Sequence, residues 1–274
     1  MKNLSLFCLT LNPNHEKIIN ELSYIPVGLG EKKFSANCFN DKEGDNIAIK
    51  NPHYGEYTFH YWIWKNYLKE IDTEWVGFCQ YRKFFVNENS TEKSYQSFQS
   101  LKKNIIKSIP SNLTSYDCIL GQKSYVNNYK FMKFIKQNPL KTLTSLNLIF
   151  SKNKRNIKYH FDMFHGEGNL EKAIQLLDND HRKDFTNFVE TKGSFNPQNM
   201  FICKKEILKD YYDVIFPWLK RCENIFGFKD LKGYGMTRIY GFLAERFLSY
   251  WFQKKYKVKE IPIIFKDISD YKNL

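Results

Sequence analysis

Residues 51–85 read NPHYGEYTFHYWIWKNYLKEIDTEWVGFCQYRKFF, a helical half followed by a strand half. Asn51-Pro52-His53-Tyr54-Gly55 predicts a turn, because proline fixes φ and glycine relaxes it. From Glu56 to Lys69 there is neither Gly nor Pro. Tyr57, Phe59, Tyr61, Trp62, Ile63, Trp64, Tyr67 and Leu68 surround most of that helix, so more than one side of it is expected to be buried. Glu56, Thr58, His60, Lys65 and Asn66 on the same helix then require partners. Asp72-Thr73-Glu74 ends the pattern, and Trp75-Val76-Gly77-Phe78-Cys79 reads as a buried strand. Gln80-Tyr81-Arg82-Lys83 follows at its carboxyl end, where open α/β sheets bind ligands. The alternative is that Arg82 and Lys83 only carry their charges out to solvent from an edge strand.

Outside this stretch, composition narrows the function classes. A chain of 274 residues is long enough for a full core. With 42% hydrophobic and 17% aromatic residues it reads as folded. The six cysteines show no CxxC pair and no zinc spacing, so buried free thiols and a reducing cytosol are expected. The N-terminal apolar run stops at Asn12-Pro13 and reads as a first strand, not a signal peptide. No run approaches a membrane span. The net charge of +13 calls for nucleic acid, an anionic membrane surface or a phosphorylated substrate. No zinc finger, aromatic RNA-binding signature or helix-turn-helix pattern occurs, which leaves nucleic acid as the lesser reading.

In chain order, strand Leu4–Leu9, a loop from Thr10 and helix His15–Leu22 form an α/β opening. Neither GxGxxG nor GxxxxGK[ST] is present. Asp41 and Asp45 lie in a turn-rich patch, either as turn formers or facing a sugar or ribose hydroxyl. Between Cys118 and Phe161 there are nine Lys or Arg and no acid, read as a solvated face, a basic flap over a diphosphate, or a membrane-surface patch. His165 precedes Gly166 and reads as loop. Asn169 is expected to cap a helix over 170–177, with another over 181–190. Polar loop 193–199 feeds strand Met200–Cys203, and a helix over 205–225 is expected to bend or break at Pro217. The last helix, about Met236–Tyr256, carries Glu245 among apolar residues. That carboxylate requires a partner, with Arg238 or Lys65 as candidates, or a function. Ile261–Phe265 is a closing strand.

Ordered blocks across most of the chain resemble one bacterial family, filed as domain of unknown function 4422 and associated with capsular and lipopolysaccharide glycosyltransferases. The blocks are Asp45-Asn46-Ile47 with Asn51 and Glu56-Tyr57-Thr58; Tyr61 to Asn66; Val76 to Phe85; Asn199 to Ile202; and Arg238 to Arg246. His165 falls where the family has a histidine. Gln80 stands where the family usually has His, and Lys83 where it has a second Arg. The resemblance implies a GT-A-like α/β domain: a mixed, mostly parallel central sheet flanked by helices, with a helical C-terminal part. It implies a single glycosyltransferase domain over 1–274, a nucleotide-sugar-binding half at 1–122 and an acceptor-side half with closing helices at 123–274.

The activity implied is hexosyl transfer from a nucleotide-sugar to a growing capsular or lipopolysaccharide glycan; the family's association with galactofuranose and related capsule sugars favours a UDP-linked donor over a GDP-linked one. Expected donor-binding residues are Thr10, Asp45, Asn46, Asn51, Lys65, Tyr81, Arg82 and Lys83. Expected acceptor or sugar contacts are His165, Asn199, Arg238 and Arg246. Glu245 is the expected catalytic base for an inverting reaction, with Glu56 in reserve. GT-A enzymes usually place an Asp-x-Asp and a metal on the diphosphate. Here the comparable strand end has no acid, so Arg82 and Lys83 are expected to act in place of a metal, with no cofactor. Divalent manganese or magnesium, held by acids such as Asp41 and Asp45, is the alternative. Expected partners are the nucleotide-sugar donor, a glycan or lipid-linked glycan acceptor and the inner membrane surface as a peripheral contact; the expected location is cytoplasmic. The rival reading is a non-catalytic basic module that binds anionic glycan or nucleic acid.

Overall fold

The computed structural model describes residues 3–126 and 155–271. The chain opens with β1 (Leu4–Thr10), α1 (His15–Glu21), β2 (Ile25–Gly28) and β3 (Phe39–Asn40). The 51–85 stretch forms α2 (Asn51–Tyr54), α3 (Tyr57–Trp62), β4 (Trp75–Gln80) and β5 (Lys83–Phe85). Then come α4 (Phe98–Asn104), β6 (Cys118–Gly121) and β7 (Ser124–Tyr125). The later part is mainly helical: α5 (Ile157–His165), α6 (Asn169–Gln175), α7 (Asn179–Thr191), β8 (Ser194–Phe195), β9 (Phe201–Lys204), α8 (Lys205–Phe226), α9 (Tyr234–Thr237) and α10 (Ile239–Lys255). Strands β10 (Val258–Ile261) and β11 (Ile263–Phe265), separated by Pro262, close the sheet.

The main path of the sheet runs β10-β6-β9-β4-β1-β2-β3. Four of its pairings are parallel (β1 with β2, β1 with β4, β2 with β3, β6 with β10), and β9 runs antiparallel to β4 and β6. The sheet is thus mixed and mostly parallel, flanked by helices, as expected. Period-two alternation splits its side chains between two cores. Phe7, Leu9, Val76, Phe78, Phe201 and Cys203 face the core built with α3, α8 and α10. Leu6, Cys8, Trp75, Cys79 and Ile202 face the smaller core built with α1 and α4. Placing apolar residues on both faces makes β4 a central strand, and its carboxyl end opens between the two layers.

Several local expectations are corrected. The 51–55 turn is a short helix, with Pro52 in its first turn, where the missing N–H is not needed. The aromatic helix does not run on to Lys69 as α-helix: it passes into a π-helical turn, Ile63–Tyr67, with Leu68 N–H donating to Ile63 O at 2.8 Å. Pro217 lies inside a 22-residue helix. Its neighbours Phe216, Trp218 and Leu219 are buried, and their packing carries the helix through the missing hydrogen bond. His165 is the last residue of α5, not loop. Asn169 sits inside α6, whose cap is Gly168, and its side chain donates to His165 O at 2.8 Å. All six cysteines are free and buried. Most of the basic segment 118–161 lies outside the described residues; of its cations, Lys123 pairs with Glu260 at 3.0 Å and Lys158 with Glu171 at 3.4 Å. No helix among the described residues is long and apolar enough to cross a membrane.

Candidate active site

At the carboxyl ends of β1 and β4 the chain forms a cleft of two adjoining lobes. The first, about 100 Å³, is lined by Leu9, Thr10, Leu11, Leu29, Asn51 and Tyr81, among others. The second, about 110 Å³, is lined by Lys83, Gln198, Asn199, Tyr234, Phe242 and Glu245, among others. Glu56, Gln80, Arg82 and Arg238 line both, so they form the boundary. A larger groove, about 710 Å³, lies at the amino end of β4 between the π-helical turn and the start of α8. Size favours the groove, but the strand-end position and the charged groups favour the cleft, and we place the candidate site in the cleft.

Glu56 is the centre of the boundary. Its carboxylate accepts from Asn199 Nδ2 at 3.0 Å, Gln80 Nε2 at 3.4 Å and Arg238 Nη2 at 3.4 Å. The Arg238 approach depends on Gly55: a Cβ there would lie 2.1 Å from Arg238 Nη2, and its φ of 59° suits glycine. Gln198 and Asn199 also take positive φ, 84° and 52°. That bend aims the Asn199 amide at Glu56 and the Gln198 N–H at Glu245 Oε1, 2.6 Å away. Glu245 is held on its other side by Arg246, which is buried over the Phe195 ring at 3.9 Å. The predicted partners of Glu245, Arg238 and Lys65, are therefore corrected: Arg238 goes to Glu56, and the adjacent Arg246 takes Glu245.

Among the cations, Arg82 is exposed and Lys83 is buried. Burial pushes the Lys83 ammonium down from its usual range, and Glu56 pulls it back. An anion entering the cleft would favour its charged form further. Among the described residues there is no group of three or more His, Cys, Asp or Glu that could hold a metal ion.

The other predicted site residues divide by position. Thr10 and Asn51 line the first lobe. The Thr10 hydroxyl bonds His15 Nδ1 at 2.7 Å, and His15 packs on the Tyr81 ring at 4.9 Å. His15 thus sets the Tyr81 wall, a role that sequence reading missed; its only signal was its place just after β1. Asn51 Nδ2 donates to Gly55 O at 3.0 Å, fixing the turn that admits Arg238. Asp45, Asn46 and Lys65 are not among the cleft-lining residues. Asp45 accepts from Tyr61 at 3.1 Å, Asn46 caps a turn at Ala48 N–H, and Lys65 sits 3.5 Å over Trp64. Asp41 is fully buried, which raises its pKa. Arg246 and His165 are buried behind the second lobe rather than on its surface.

The cleft can bind an anion among Arg82, Lys83 and Arg238 while offering two carboxylates to a hydroxyl. The comparisons give a family and a fold. A family model described as a domain of unknown function, DUF4422, matches residues 11–256. Among solved structures, the chain is similar to the apo structure of WbbM, a bifunctional glycosyltransferase, with a TM-score of 0.64 and 19% identity. The match covers 96% of this chain and 45% of the WbbM chain, so the chain spans under half of that protein. No curated protein matches it.

Proposed function

The chain belongs to the DUF4422 family, and from that premise we propose that it is a glycosyltransferase that moves a hexosyl group from a nucleotide-sugar to a glycan hydroxyl. One observation carries the reading: a two-lobed strand-end cleft with Glu56, Arg82 and Arg238 at its boundary and Lys83 and Glu245 in the second lobe. The nucleotide lies in the first lobe, its base against Leu11, Leu29 and Tyr81. The diphosphate meets Arg82, Lys83 and Arg238. The acceptor enters the second lobe.

Glu245 lines only the second lobe and takes the proton of the attacking hydroxyl. The new C1–O bond forms as the bond to the diphosphate breaks, with inversion. The leaving charge falls on the cations that replace a metal. Glu56, tied to Arg238, is the alternative base. Residues 1–122 supply most of the donor side and 123–274 most of the acceptor side. A UDP-linked donor, a capsular or lipopolysaccharide acceptor and a cytoplasmic enzyme touching the inner membrane surface complete the proposal.

Melting temperature against a panel of nucleoside diphosphates, with EDTA or manganese, tests it. A ligand that binds only the native state raises the melting point. A UDP shift in EDTA supports a metal-independent UDP-sugar enzyme. A shift that requires manganese moves the diphosphate away from the cations. No shift with any nucleotide turns the reading to the basic binding module. Near-normal transfer by folded Glu245→Gln would pass the base role to Glu56.

A further inference from the structure

Tyr234 is 70% exposed, the most open of the large apolar side chains that line the cleft. A single exposed aromatic is ordinary on a protein surface. The mounting of this one is not, because every neighbour fixes where it stands. Gly233, at φ 77°, turns the chain into α9. Gly235 follows, and a Cβ there would lie 2.1 Å from Phe164 O, so the turn is pressed against the end of α5. His165 Nδ1 donates to Gly235 O at 3.0 Å. Burial pushes the His165 pKa down to about 3, so the ring is neutral and keeps that bond at ordinary pH.

The same imidazole stacks on Phe242 at 4.0 Å, and Phe242 meets the Tyr234 ring nearly edge-on at 5.9 Å. The Arg238 guanidinium lies 5.8 Å from the Tyr234 centroid. His165 therefore acts through Phe242 and Gly235 as a positioning residue, which gives a physical role to a histidine that does not reach the cleft. The ring it holds lines the second lobe together with Asn199, Gln198, Lys83 and Glu245. An aromatic face next to a ring of donors and acceptors suits a sugar: its C–H face packs on the ring while its hydroxyls meet the polar groups.

We propose that Tyr234 is the platform on which the acceptor's terminal hexose stacks, its attacking hydroxyl turned toward Glu245. This rests on the glycosyltransferase reading. The test is saturation-transfer NMR on the whole chain with methyl glycosides of galactose, glucose and mannose. Wild type, Tyr234→Ala, Tyr234→Phe and Tyr234→Trp are compared, with UDP-induced melting shifts in parallel. At least one methyl hexoside should receive transfer at its ring C–H protons. Tyr234→Ala should lose roughly fivefold or more of it, and the two aromatic variants should keep it. Equal transfer in Tyr234→Ala, or none to wild type across the panel, overturns the platform. If UDP protects but transfer ignores Tyr234, the platform fails and the glycosyltransferase reading stands. If transfer depends on Tyr234 but no nucleotide protects, the ring binds hexose without a donor to react with it, and the acceptor role falls together with that reading.

Discussion

Replacing Arg246 by methionine should cost this protein more stability than most single changes. The side chain is 2% exposed, and its partner Glu245 is 12% exposed. Methionine keeps an unbranched side chain over Phe195 but removes the charge. Glu245 is then left as a buried carboxylate with the Gln198 N–H as its remaining donor. Breaking a buried pair from one side costs about 3–5 kcal/mol, because the surviving charge has lost its water and its counter-ion. At about 2–4 °C per kcal/mol for a chain of this size class, the melting temperature should fall by roughly 6–20 °C. Glu245→Gln should cost a similar amount, because it strands Arg246. The double variant removes both charges and should lie within about 1–2 kcal/mol of wild type, since a neutral pair has no desolvation to repay. Urea unfolding followed by tryptophan fluorescence measures all three, with buried Trp218 and Trp251 as reporters. If the single losses simply add in the double variant, the two side chains are not a coupled ion pair and the reasoning is wrong. The double variant is also the folded control for transfer assays at Glu245.

Other changes probe the remaining contacts. Glu56→Gln frees Arg238 from its carboxylate, so UDP should bind tighter by about 1 kcal/mol, roughly fivefold; weaker UDP binding by calorimetry would contradict the cation reading. Gly235→Ala must push the chain off Phe164 O and should cost roughly 1–3 kcal/mol in chemical denaturation. An unchanged midpoint would show that the Tyr234 turn is not pressed on α5. Acid should destabilise the fold early. Burial pushes the pKa of His60 to about 3, His160 to about 2 and His165 to about 3, below their unfolded values near 6.5. The unfolded chain therefore binds the extra protons: stability is full above about pH 6.5 and falls below it, by up to about 1.4 kcal/mol per pH unit per histidine. A urea midpoint that stays flat between pH 7 and pH 5 would rule this out.

Much of the architecture follows from local pattern. The continuous apolar runs Trp75–Cys79 and Phe201–Cys203, and the aromatic run after Gly55, are set by side chains that must leave water whatever their partners are. They fix β4, β9 and α3, and with them a strand end at Gln80 that carries Arg82 and Lys83. The charged residues of the cleft, Glu56, Arg238 and Glu245, could be picked out because carboxylates and guanidinium groups in apolar surroundings need partners. Which partner each one takes was not legible, since sequence spacing does not report distance across a fold. Arg238 was expected on Glu245 but reaches Glu56 from 182 positions away. Glu245 instead pairs with the residue next to it.

Asp45 and Asn46 share a sequence block with Asn51 and Glu56, and Lys65 lies in the next block, yet the 41–46 loop and the π-helical turn carry them off the cleft lining. Tyr234 gave only the weak signal of an aromatic between two glycines. Local pattern was enough to find the buried segments, the carboxyl end of β4 and the residues that need a charge partner, because burial and backbone preference are local properties. The tertiary structure alone decided the two lobes, the Glu56–Arg238 boundary between them and the aromatic at their mouth. Each of these brings together groups on different elements, Glu56 and Arg238 from 182 positions apart, and only packing sets the distance between them.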